Sequence, residues 1–126
     1  MQKFAIEALK IGKTSRQFDL EFEMPSLRRL EVINNNYFVA NCLRKQSFQN
    51  LQSVTLINCK RLRLMYLAEL ILTARDLKTL QIVDSFKGKQ QFLLDFLQVA
   101  ISHCSKVEML RFEFTEPHNC HRKFSA

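Results

Sequence analysis

The stretch "LQSVTLINCKRL", residues 51–62, reads as a short buried strand that ends abruptly. Leu51, Val54 and Leu56 are apolar, and Ser53, Thr55 and Ile57 alternate with Val54 and Leu56, a period of two that marks a strand with one face buried. The chain then meets Asn58 and Cys59 before the basic Lys60 and Arg61, and reaches its next apolar residue at Leu62. A polar residue and a thiol at the end of an otherwise apolar run need a reason.

The same spacing recurs along the chain. "LRRLEVINN" places Leu27, Leu30, Val32 and Asn35 as Leu51, Val54, Leu56 and Cys59 are placed, and "LKTLQIVDS" does so with Leu77, Leu80, Ile82 and Ser85. Looser copies flank these: Ile6, Leu9, Ile11 and Thr14 before them, and Val107, Leu110, Phe112 and Thr115 after them. The five copies start 21, 24, 26 and 30 residues apart, and periods of about 20 to 30 residues mark repeat architectures.

"LQSVTLINCKRL" matches L-x-x-L-x-L-x-x-N/C through Cys59 and closes on Leu62 as C-x-x-L, and "LRRLEVINNNYF" follows with Asn35 and Phe38. The chain therefore resembles the leucine-rich repeat proteins, in the cysteine-containing class of repeat found in F-box proteins and, more loosely, in ribonuclease-inhibitor-like proteins. The other three copies have Gln17, Gly88 and His118 at the closing position, with Phe18 and Phe86 near enough to substitute. The resemblance covers about residues 4 to 115. It implies an α/β solenoid of about five irregular repeats, with a short parallel sheet on one face and helices on the other. In such a repeat the chain turns inward over the core after each strand, leaving backbone groups away from water. An unpaired one costs about 1–3 kcal/mol, so Asn35 and Cys59 are expected to cap these turns, and Thr14, Ser85 and Thr115 to do so less completely.

The segments between strands support helical returns. Over 61–74, Leu64, Leu67, Ala68, Ile71 and Ala74 recur at i, i+3, i+4 spacing, and over 90–101 Phe92 or Leu93, Phe96, Leu97, Ala100 and Ile101 do the same. Residues 41–48 are expected to hold a turn or two, and 13–25 are too short and strand-like for a full helix.

With 126 residues, 47% of them hydrophobic and 25% charged, the chain suits one domain over 1–126 with a real core, ending in a frayed tail over 116–126. The apolar run 64–72 is broken by Glu69 and is too short to span a membrane. No leader-like apolar segment follows Met1. Cys42, Cys59, Cys104 and Cys120 are therefore read as reduced thiols, and the compartment as cytoplasmic or nuclear.

Motifs for chemistry are incomplete. "IGKTSR" at 11–16 has the Gly-Lys-Thr end of a phosphate loop, but Glu7 stands where the first glycine is needed. His103 and Cys104, and His118, Cys120 and His121, lack the paired spacing of structural zinc. No nucleophile elbow, H-E-x-x-H or dinucleotide fingerprint appears, so neither a cofactor nor enzymatic activity is expected.

Binding is the remaining class. The strand side chains facing out of the core should be Ala8, Lys10 and Gly12; Arg29, Glu31 and Ile33; Ser53, Thr55 and Ile57; Thr79, Gln81 and Val83; and Met109, Arg111 and Glu113. Their charge is close to balanced, and Ile33, Ile57 and Val83 would align as an apolar stripe rimmed by polar residues, the form of a protein-binding patch; the bland reading is that β-branched residues favour strands. The net charge of +7 gathers instead where strands run into turns, at Lys13, Arg16, Lys60, Arg61, Arg63, Lys87 and Lys89, either as a solvated edge or as a contact for RNA or an acidic surface. The reading is a module that binds a protein partner through its strand face. The resemblance to F-box repeat proteins implies substrate recognition for ubiquitin ligation, although the F-box precedes the repeats in that family and none is visible here. Terminal copies without polar caps point to flanking repeats or to pairing with another chain.

Overall fold

The computed structural model describes residues 2–3, 6–12, 22–23, 25–39, 48–102, 106–115 and 121–125. The elements are β1 (Gln2–Lys3), β2 (Ala8–Ile11), β3 (Phe22–Glu23), β4 (Arg29–Ile33), β5 (Ser53–Ile57), α1 (Leu64–Thr73), β6 (Thr79–Val83), α2 (Gln90–Ser102), β7 (Met109–Thr115) and β8 (His121–Ser125). Residues 36–39 are also helical. The fold is α/β. Its main sheet runs β2-β4-β5-β6-β7-β8, with the first five strands parallel and β8 antiparallel to β7; β1 and β3 pair separately.

The five parallel strands lie side by side in chain order. Parallel neighbours need a crossover connection, and crossovers share one hand. A series of same-handed crossovers all advancing in one direction must lie on one face of the sheet. That arrangement leaves the opposite face to the strands' own outward side chains, unlike most parallel sheets, which are covered on both sides.

Burial follows. Leu30 and Val32, Val54 and Leu56, Leu80 and Ile82, and Leu110 and Phe112 are buried at alternate strand positions, while the residues between them are half-buried or exposed. Leu27, Leu51 and Leu77, at the heads of the three central copies, are buried too, as are the closing residues Phe38 and Leu62, whereas Ile6 and Val107, at the heads of the outer copies, are half-buried. Phe86, near the closing position of the fourth copy, is partly buried and packs on the core.

α1 buries Tyr66, Leu67, Leu70 and Ile71. Its inward face is thus turned slightly from the expected one, since Ala68 and Leu64 are only half-buried and Tyr66 and Leu70 go in. α2 buries Leu93 and Leu97, with Leu94, Phe96 and Ala100 packed beside them, whereas Phe92 points out. Gly88, just before α2, has φ +136, and a Cβ there would stand 3.2 Å from the Phe86 ring. Glycine is the residue that fits.

Two expectations change. The segment read as a frayed tail contains β8, which pairs with β7 in the register Arg111 with Ser125 to Thr115 with His121. Thr115, expected to cap a buried turn, is exposed and lies within β7, because that strand runs on into the β8 pairing instead of turning inward. The phosphate-loop fragment beyond Gly12, the capping Thr14, and Cys42, His103, Cys104, His118 and Cys120 lie outside the described residues.

Candidate strand-face site and its turn edge

Each strand enters the sheet the same way. The Glu7 carbonyl accepts from the N–H groups of both Arg28 and Arg29, that of Arg28 from Gln52 and Ser53, that of Gln52 from Lys78 and Thr79, and that of Lys78 from Glu108 and Met109. This fixes a common register. Ala8, Arg29, Ser53, Thr79 and Met109 form one outward row; Lys10, Glu31, Thr55, Gln81 and Arg111 form the next; Ile33, Ile57, Val83 and Glu113 form the third. All ten residues expected to face a partner, Arg29, Glu31, Ile33, Ser53, Thr55, Ile57, Thr79, Gln81, Val83 and Arg111, therefore lie on one surface. Ile33, Ile57 and Val83 are direct neighbours and half-buried, and Glu113 ends their row.

The surface is hollow at its strand-entry half, where a concavity of about 900 Å³ lies over β2, β4, β5 and β6. Its lining includes Arg28, Gln52 and Lys78, which directly precede the strands and add a row that alternation within strands does not reveal. Near-balance of charge is therefore not what this half carries: Lys10, Arg28, Arg29 and Lys78 outnumber Glu7 and Glu31. At the other side Arg111 is engaged. Its Nη2 donates to Glu113 Oε2 at 2.6 Å, its Nη1 reaches Gln81 Oε1 at 3.5 Å, and Gln81 Nε2 in turn reaches Thr55 Oγ1 at 3.5 Å. Its Nε is buried with no partner among the described residues.

The strands end on a repeated turn. Asn34, Asn58 and Asp84 have φ of 55°, 53° and 48°, and their N–H groups donate to Ile57, Val83 and Glu113 carbonyls on the next strand. This left-handed backbone suits Asn and Asp because their short side chains bond locally. Sequence reasoning fixed on the following position and missed this one, although Asn or Asp at 34, 58 and 84 was the signal.

The following residues, Asn35, Cys59 and Ser85, are buried and link neighbouring copies. Asn35 Nδ2 donates to the Gly12 carbonyl at 3.0 Å, and its Oδ1 accepts from the Phe38 N–H at 3.0 Å. Cys59 Sγ lies 3.5 Å from the Val32 carbonyl and 3.4 Å from that of Ile57, while its N–H donates to Ser85 Oγ at 2.8 Å. Ser85 Oγ lies 2.9 Å from the Val83 carbonyl and 3.3 Å from that of Leu56. Ser85 is thus as fully engaged as Cys59. Burial pushes the Cys59 thiol above its usual pKa, and polar groups of Asn34, Asn35, Ile57 and Ser85 offset only part of that. It is a hydrogen-bonded core group, not a poised nucleophile.

Of the basic edge, Lys60, Arg61, Arg63, Lys87 and Lys89 are all exposed on two adjoining turns, joined by a bond from the Lys87 N–H to the Leu62 carbonyl. The Arg61 N–H is held by Asn36 Oδ1, and the Lys89 ammonium lies 5.8 Å from the Phe92 ring centroid. Lys13 and Arg16 lie outside the described residues.

Among the described residues no group of three or more His, Cys, Asp or Glu is placed to hold a metal ion, and no helix is long and apolar enough to cross a membrane. No family model matches the chain, and comparison with curated proteins and with solved structures gave no match, so its relationships rest on its own pattern.

Proposed function

We propose that the chain is a leucine-rich repeat solenoid of the cysteine-containing class that binds a protein partner through its strand face and performs no chemistry itself. What supports the assignment is the recurrence, in successive copies, of one strand entry, one left-handed Asn or Asp and one buried polar cap. The observation that carries the binding reading is the direct register of Ile33, Ile57 and Val83 on the side of the sheet opposite the buried row. A compact apolar patch with a polar rim is the usual anatomy of a recognition surface. Substrate capture for ubiquitin ligation is the biological role that the resemblance suggests for it.

The second reading uses the exposed basic turns at Lys60, Arg61, Arg63, Lys87 and Lys89 to hold RNA or an acidic surface. The two are separable. Ile57 sits in mid-patch, where truncation of an anchor costs binding about 2 kcal/mol or more. Ile57→Asp should therefore abolish capture of a defined partner while leaving the thermal midpoint close to that of the wild type, whereas Leu56→Asp, in the core, should unfold the protein. Capture lost on reversing Lys60 and Arg61 but kept in Ile57→Asp, with a steep fall in salt, would transfer the function to the turns.

A further inference from the structure

The strand face divides into unlike halves. Arg111 is engaged by Glu113 at one side, and the row of Ile33, Ile57 and Val83 lies where the strands leave the sheet. At the strand-entry half Lys10, Arg28, Arg29 and Lys78 are exposed, and none of them forms an ion pair among the described residues. Arg28 and Lys78 hold corresponding positions two strands apart, about 10 Å at the usual strand spacing. From Arg28 to Ile33, and from Lys78 to Val83, is five residues along a strand, about 17 Å. A five- or six-residue extended peptide covers that distance.

We propose that this face takes an extended acidic segment of a protein partner, with carboxylates over Arg28, Arg29 and Lys78 and an apolar side chain seated on Ile57 between Ile33 and Val83. The inference rests on the protein-binding reading and adds to it the chemistry of the partner. Exposed cations in a concavity attract carboxylates and speed association, while the apolar row gives the bound segment its register. Single-stranded RNA fits less well. Its grooves pair a continuous basic track with aromatic stacking platforms, but Glu7, Glu31 and Glu113 interrupt this surface and its outward rows hold no aromatic residue.

The test is selection of random dodecapeptides on the full chain at low salt, followed by binding measurements on three proteins: wild type, Arg28→Glu/Lys78→Glu, and Ile57→Asp. Circular dichroism verifies that each is folded, and the two charge changes are at exposed positions. The expected pool is rich in Asp and Glu around one or more apolar residues. Its affinity should fall at least tenfold in the charge-reversed protein and in Ile57→Asp, and the charge-reversed protein should select Lys and Arg instead. A neutral pool lost in Ile57→Asp yet untouched by charge reversal overturns the acidic segment and leaves protein binding standing. A pool indifferent to both variants, or no pool at all, overturns both. Oligouridylate that binds more tightly than the acidic peptides and depends on Arg28 and Lys78 overturns the proposal in favour of RNA.

Discussion

Asn58 and Ser85 do more for this fold than their size suggests. At φ 53° a β-branched residue is strained, and a left-handed conformation costs an ordinary residue about 1–2 kcal/mol. Asn58→Val and Asn58→Gly both lose the 3.0 Å bond from Asn58 Nδ2 to Asn34 Oδ1, so their difference isolates the backbone term. Urea unfolding should place the valine variant about 1–2 kcal/mol below the glycine one. Ser85 accepts the buried Cys59 N–H, and Ser85→Ala leaves that donor without a partner, a loss of about 1–3 kcal/mol on the same measurement. The Cys59 thiol should react with a disulfide reagent only on unfolding. Because its folded pKa is raised, the stability linked to it is full below the usual thiol range and is lost as pH climbs through that range toward the folded value.

Strands and helices were unequally legible in the sequence. β4, β5 and β6 were readable because their apolar residues alternate cleanly, and α1 and α2 because theirs recur every three or four. β8 was not, since "HRKFS" has one large apolar residue and no alternation, and its place is fixed by pairing with β7. The strand-entry row was missed for a similar reason: Arg28, Gln52 and Lys78 precede the strands and fall outside the alternation that marks the outward face. Pairing gives β8 a task. An open strand edge is a template for other chains and charged residues blunt it; β8 covers the edge of β7 and replaces it with a strand whose sequence holds Arg122 and Lys123. A chain ending at Thr115 should therefore self-associate, visible as a concentration-dependent rise in light scattering, while the full chain at equal concentration should not. The Lys106–Asp76 ion pair adds a smaller tie between the segments that enter β6 and β7. The Lys106 ammonium holds the exposed Asp76 carboxyl below its ordinary pKa, so this tie weakens as acid protonates it.

Across the molecule, order passes from one strand to the next. Each of β4, β5, β6 and β7 has a strand on both sides, whereas β2 and β8 have one each, at the two edges of the sheet. Amides of β5 and β6 should exchange with deuterium most slowly and those of the edge strands β2 and β8 fastest, and equal rates across the sheet would mean that it opens as one unit. The same lateral logic bears on how such a chain grows. The segment 51–76 begins on Leu51 and ends just before the equivalent Leu77, and it carries a strand, a turn and a helix whose bonding pattern is continued by its neighbours. A tandem duplication of that segment would widen the sheet by one strand, about 4.8 Å, without altering the register on either side. One bond would not be copied: the first Cys59 N–H would meet a thiol where it now finds the Ser85 hydroxyl. The caps thus act as joints between unlike neighbours, and lengthening the chain by duplication would call for a matching substitution at the new joint.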